Sequence, residues 1–191
     1  MNTTTTTTTT STMSLRNRLA MGAAAVAVAV AGAFGTVAAA ADTAAAQPAP
    51  ASVSGKDTRQ TTHLTEAAAL RGAQAALAAA EKEGQRVSVA VVDRDGRVLV
   101  QLRGDGAGPQ SFESAEKKAY TAVSWNARTS ELVKRLEQTP TLKDIPGTLF
   151  LGGGAPVAAK GAPIAGIGVA GAPSGDLDEK FALAGVAELT T

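Results

Sequence analysis

Few residues in this chain are equipped for chemistry, and their spacing narrows what that chemistry is. Glu113 and Glu116 stand three apart in a helical stretch, which sets both carboxylates on one helix face. Two such oxygens suit a hard cation, and Fe³⁺ is one; the plainer alternative is a solvated face in which Glu113 pairs with Lys117. His63 is the one histidine of the 191-residue sequence. It could ligate a metal, haem iron included, or sit half-exposed where a linker meets a domain. Tyr120, the sole tyrosine, is the other conventional haem-iron ligand, yet its place in mid-helix points to packing. Asp93-Arg94-Asp95-Gly96 opens like a calcium loop but lacks the later ligands and the closing Glu, so it reads as a turn.

Several chemistries are excluded. The chain has no cysteine and no GxSxG serine motif, which rules out the usual nucleophile triads. One His with no Cys cannot supply a structural zinc site. The glycine run Gly152-Gly153-Gly154 lacks the GxxxxGK[ST] spacing of a phosphate loop. Three residues without side chains mark either a glycine-rich turn or a place where something approaches the backbone closely. Arg128, Arg135 and Lys143 could pair with carboxylates, propionates among them, or remain surface charge.

The elements that must position these residues follow from periodicity. Thr65 is a credible N-cap, and Leu70, Ala73, Leu77 and Ala80 recur at helical spacing until Gly84. Val87–Asp93 and Arg97–Arg103 have strand composition, with Asp95-Gly96 as the hairpin signal between them. Ser111 is expected to cap a helix running to about Ala127, and Thr129 to begin a shorter one that ends before Pro140. Thr148–Leu151 reads as a short apolar strand, followed by strands at Pro156–Lys160 and Ile164–Ala170 turned at Lys160-Gly161. Ser174–Asp176 opens a last helix, with Asp176, Asp178 and Glu179 at its positive end and Phe181, Leu183 and Val186 toward the core. Hairpin-linked strands with segregated helices make an α+β domain on an antiparallel sheet.

Residues 1–41 are not expected in the folded product. Residues 2–12 are almost pure threonine, Arg16 and Arg18 form a short basic region behind Met13, and Leu19–Ala41 is an apolar run. Ala39 and Ala41 fit an A-x-A cleavage pattern, so this is read as a secretory signal peptide. An uncleaved anchor is the alternative, disfavoured by the alanine content and by the absence of a basic residue at the far end. Losing Arg16 and Arg18 leaves 16 basic against 17 acidic residues, a net charge of −1, with no basic stripe for nucleic acid. Residues 42–61, rich in Ala, Pro, Ser and Thr, read as a flexible linker, and 62–191 as one domain of modest core.

With these residues in view, the domain resembles the HbpS/GlcG family of haem-binding proteins, and is similar to the C-terminal domain of PduO-type corrinoid adenosyltransferases. The carriers are the VAVVDRDGRVL hairpin, the SxxxAxxKAYTA helix ending at Ala122, the IPGTLFLGGGAPV stretch and the closing GVAGAPSGDLDEKFALAG segment, together spanning about Leu64 to Leu189. The resemblance implies a profilin-like fold, an antiparallel sheet flanked by helices, assembled into homo-oligomers that are often octamers. It implies haem binding and, for exported members, ferric-iron binding and signalling to a membrane sensor kinase, hence a secreted or extracytoplasmic haem and redox buffer. Thr148 falls where the family lines or ligates haem, His63 where exported members have a histidine, and Glu113-x-x-Glu116 on an acidic iron-binding pattern. Gly152, Gly153 and Gly154 would offer the cleft that grips the porphyrin. The competing readings are an enzyme that degrades haem or acts on a small metabolite in that cleft, and a purely structural oligomer in which the cleft is packing.

Overall fold

A computed structural model describes residues 51–190; the leader at 1–41, residues 42–50 of the linker and Thr191 lie outside them. Residues 51–63 are exposed, with one turn of 3-10 helix at Gly55–Asp57. Helix α1 (Glu66–Lys82) starts as expected: the Thr65 hydroxyl accepts the Ala68 amide proton at 3.3 Å, satisfying one of the donors a helix start leaves open. Gly84, at φ +67°, lets the chain leave the helix in the left-handed region that side chains avoid.

Four strands follow: β1 (Ser88–Asp93), β2 (Val98–Arg103), β3 (Gly154–Ala159) and β4 (Ala162–Ala170). They form one sheet in the order β2-β1-β4-β3, every neighbouring pair antiparallel. The domain is thus α+β, as the element pattern implies. Helices α1 and α4 (Gly175–Glu188) pack on each other and on one face of the sheet; α2 (Pro109–Trp125) covers the other.

The period-two alternation of a strand sorts the core. From β1, Val89 and Val91 point into the α1/α4 side with Ile167, Val169 and Phe181, whereas Ala90 and Val92 meet Ala115, Ala119 and Val123 of α2. The α2 side is packed mostly with small side chains. A Cβ at Gly166 or Gly168 of β4 would overlap the carbonyl oxygen of Ala119 or Ala115, so the helix backbone lies directly on the strand.

Three expectations are corrected. Thr148–Leu151 is not a strand. Its backbone bonds are taken elsewhere, because the Thr148 amide donates to the Ile145 carbonyl and the Leu149 amide to the Thr121 hydroxyl of α2. Ser111 does not cap α2. The helix begins at Pro109 behind Gly108, where proline's missing amide costs nothing, and Ser111 is buried with its hydroxyl against Gly108 O and Ser88 Oγ. The segment after Thr129 is a five-residue helix α3 (Thr129–Val133) continued by 3-10 turns at Lys134–Glu137 and Pro140–Asp144, not one regular helix. Pro156 sits in β3, an edge strand where a residue without an amide proton is tolerated.

Candidate functional site

Helix α2 has two faces. Ala115, Lys118, Ala119 and Ala122 are buried toward the sheet; Glu113, Glu116, Lys117 and Tyr120 form the opposite ridge at i, i+3, i+4 and i+7. That ridge, with Val92 of β1, Gly96 of the β1–β2 turn and Gly147, lines an open-sided cavity of about 440 Å³. This lies within the range of small-ligand pockets, about 300–1,000 Å³.

Tyr120 forms a wall of this cavity between two glycines. A Cβ at Gly96 would lie 2.9 Å from its Cε2, and one at Gly147 would lie 3.6 Å from its Cε1. Both glycines also have positive φ, +82° and +79°, so turn geometry and room for the ring select the same residue twice. At the rim, the Lys117 ammonium lies 2.6 Å from Glu113 Oε1, the pairing the sequence offered as the plain reading. That hydrogen bond and charge hold the Glu113 carboxyl below the usual glutamate range. Glu116 reaches the same cavity, with no ion pair engaging it among the described residues.

Thr148 follows Gly147 directly and is half-buried, its hydroxyl donating to the Ile145 carbonyl at 2.7 Å. One hydrogen is thereby committed, leaving the oxygen's lone pairs to act as acceptor. Leu149 N–H to Thr121 Oγ1, at 2.8 Å, fastens this segment to α2. Phe150 then meets Trp125 edge-on at 5.2 Å, fixing the segment at the far end of the same helix.

The structure brings Glu113 and Glu116 together with the segment that carries Thr148, and places the other expected residues elsewhere. His63 stands at the β1–β2 turn, Nδ1 3.8 Å from Asp95 Oδ2 and Nε2 2.6 Å from Thr61 Oγ1. Gly152–Gly154 are buried, and the open cleft expected there is corrected to packing. A Cβ at Gly152 would lie 3.0 Å from the Gly175 backbone, one at Gly153 2.6 Å from Val169 O, and one at Gly154 against Lys118 O. Gly152 borders a depression of about 240 Å³ between Val133, Leu151 and Ser174.

Two features escaped sequence reading. Tyr120 is a cavity wall rather than mere packing; the signal was its place one helical ridge above Glu113 and Glu116. Lys118 and Asp178, from distant parts of the chain, form a buried ion pair that no local pattern announces.

The model of the family described as haem degrading protein HbpS-like matches residues 64–187. Two solved structures of HbpS are similar to this chain. One, from Streptomyces reticuli and carrying a Glu→Asp double replacement, is 70% identical with TM-score 0.73, covering 74% of this chain and 97% of that one. The other is 72% identical with TM-score 0.71, covering 72% and 97%. A PduOC:heme complex is 27% identical with TM-score 0.61, covering 66% of this chain and 95% of that one. An uncharacterized 15.0 kDa protein of the dhaT-dhaS intergenic region of Citrobacter freundii is 33% identical over 119 residues, 60% of this chain and 84% of its own.

Proposed function

This chain belongs to the HbpS-like family, and from that premise we propose that it is a haem-binding protein whose haem enters the cavity beside Thr148. The observation that carries the reading is the cavity itself. Val92 and Tyr120 give it apolar and aromatic wall, Gly96 and Gly147 add no side chains, and Glu113, Glu116 and Lys117 line the remainder, Glu113 and Lys117 at its exposed side. A flat apolar ring with charged substituents has that distribution of surface. The PduOC relative, in complex with heme, supports the ligand class. Haem, when bound, supplies a redox-active iron. The chain's own part is to exclude water with Tyr120, to offer Thr148 Oγ1 as a neutral oxygen, and to set Lys117 at the rim for an acidic substituent. A hydroxyl is a weak iron ligand, so binding is expected to be carried by the walls.

The same reading assigns ferric iron to Glu113 and Glu116, two hard oxygen donors on one ridge. One HbpS relative carries Glu→Asp changes at two positions three apart, the spacing of this pair. With the leader read in residues 1–41, the protein would act outside the cytoplasm as a haem and redox buffer, in a homo-oligomer and as accessory to a membrane sensor kinase. Hemin titration tests the first step. A saturable Soret shift at micromolar hemin, weakened in Thr148→Ala, is expected; no shift would overturn the reading. The family's description favours a second reading, haem degradation. Loss of the Soret band with iron release, on adding reductant in air, would select it.

A further inference from the structure

We infer that His63, Asp93 and Asp95 form a binding site for a divalent first-row transition-metal cation, separate from Glu113 and Glu116 and independent of haem binding. One donor atom from each of the three residues lies within 4.8 Å of the other two. Nitrogen and oxygen ligands sit about 2.0–2.2 Å from such an ion and therefore about 3.4 Å from each other in a tetrahedral shell. The 3.8 Å between His63 Nδ1 and Asp95 Oδ2 is too long for a hydrogen bond and close to that ligand separation.

Two of the three donors are oriented before any ion arrives. His63 Nε2 is held by Thr61 Oγ1 at 2.6 Å, which turns Nδ1 toward Asp95. A second partner on the other ring nitrogen is the usual support of a metal-bound imidazole. Asp93 is only 6% exposed, and its Oδ1 accepts the amide protons of Asp95 and Arg97 at 2.8 and 2.9 Å. The turn that these bonds build presents Asp95 to the histidine, which comes from beyond α1. Arg94 and Arg97 flank the aspartates in sequence, but neither is ion-paired to them among the described residues.

Donor chemistry names the ion class. Two carboxylates balance a double positive charge, and imidazole favours zinc, iron, nickel or copper over magnesium and calcium. Three protein donors leave positions open for water or a further ligand. A bound ion ties residues 61–63 to the turn whose Gly96 packs on Tyr120, at the edge of the cavity.

Zinc chloride titrated calorimetrically into the full chain, after removal of metal by chelation, tests the site. Saturable binding of one ion per protomer is expected, weakened at least tenfold in His63→Ala and in Asp95→Asn. Both side chains are substantially exposed, 42% and 51%, so these variants keep the fold. Binding should be unchanged when Glu113→Gln and Glu116→Gln are combined. No saturable binding, wild-type affinity in either single variant, or loss in the glutamate double variant would each overturn the assignment.

Discussion

Lys118 Nζ and Asp178 Oδ2 lie 2.8 Å apart with 2% and 5% of their side chains exposed, joining α2 to α4 beside the C-terminal end of β4. The ammonium also donates to the Val169 carbonyl of β4 at 3.0 Å, and Asp178 Oδ1 accepts the Ala172 amide proton at 2.9 Å. Both charges press on the glycine run: a Cβ at Gly153 would lie 2.7 Å from Lys118 Nζ and 2.8 Å from Asp178 Cβ. The pair therefore explains why Gly153 carries no side chain.

Breaking that pair should cost more than replacing it. Lys118→Met strands a buried carboxylate, and a loss of about 3–5 kcal/mol is expected in denaturant unfolding. Lys118→Met combined with Asp178→Leu should lose less than the sum of the single changes. Additive losses would show that the two groups do not interact.

Asp178 also sets a pH dependence. Burial raises its pKa above 3.8, with Lys118 and the Ala172 amide opposing. The native state then holds a proton that the unfolded chain releases. Its contribution to stability is full below about 3.8 and is lost as pH rises through the folded pKa. A carboxyl carbon titration should show a midpoint above 3.8, and Asp178→Asn should remove that segment of the stability–pH slope. A midpoint at or below 3.8 would contradict this account.

Gly168→Ala tests the contact between α2 and β4. The added methyl would overlap the Ala115 carbonyl, a backbone atom that cannot rotate away. A destabilisation of about 1–3 kcal/mol is expected, the usual range for overpacking. Thermal melting at wild-type temperature would show that the helix stands farther from the strand.

Gly96→Ala tests the cavity wall. The left-handed φ of +82° costs a side chain about 1–2 kcal/mol, and the new methyl meets Tyr120. Reduced melting temperature together with weaker hemin binding is expected. Undiminished hemin affinity would place the ligand away from Tyr120.

Much of the fold was legible because local rules decide it. Thr65 caps α1, Asp95-Gly96 turns the hairpin, and the unbroken apolar run Val89–Val92 marks a strand buried on both faces. Thr148–Leu151 misled because its apolar composition suits a strand, while the turn at Pro146-Gly147 and the Thr121 hydroxyl divert its hydrogen bonds. Ser111 misled because a serine near a helix start is also at home inside the first turn when another hydroxyl, Ser88, meets it. The Glu113–Glu116 ridge was readable from helical spacing alone. The approach of Gly147 and Gly96 to Tyr120, and of His63 to Asp95, depends on chain segments far apart in sequence, which spacing cannot bring together. The glycine run looked like an opening because missing side chains are equally the mark of a cleft and of backbone packed on backbone.

Paramagnetic broadening by ferric haem tests the central claim most directly. On adding hemin to isotope-labelled protein, the account predicts loss of amide signals centred on Gly96, Glu116, Tyr120, Gly147 and Thr148, with Ser174 and Gly175 spared. Broadening centred on Leu151 and Gly175, or none at saturating hemin, would contradict it.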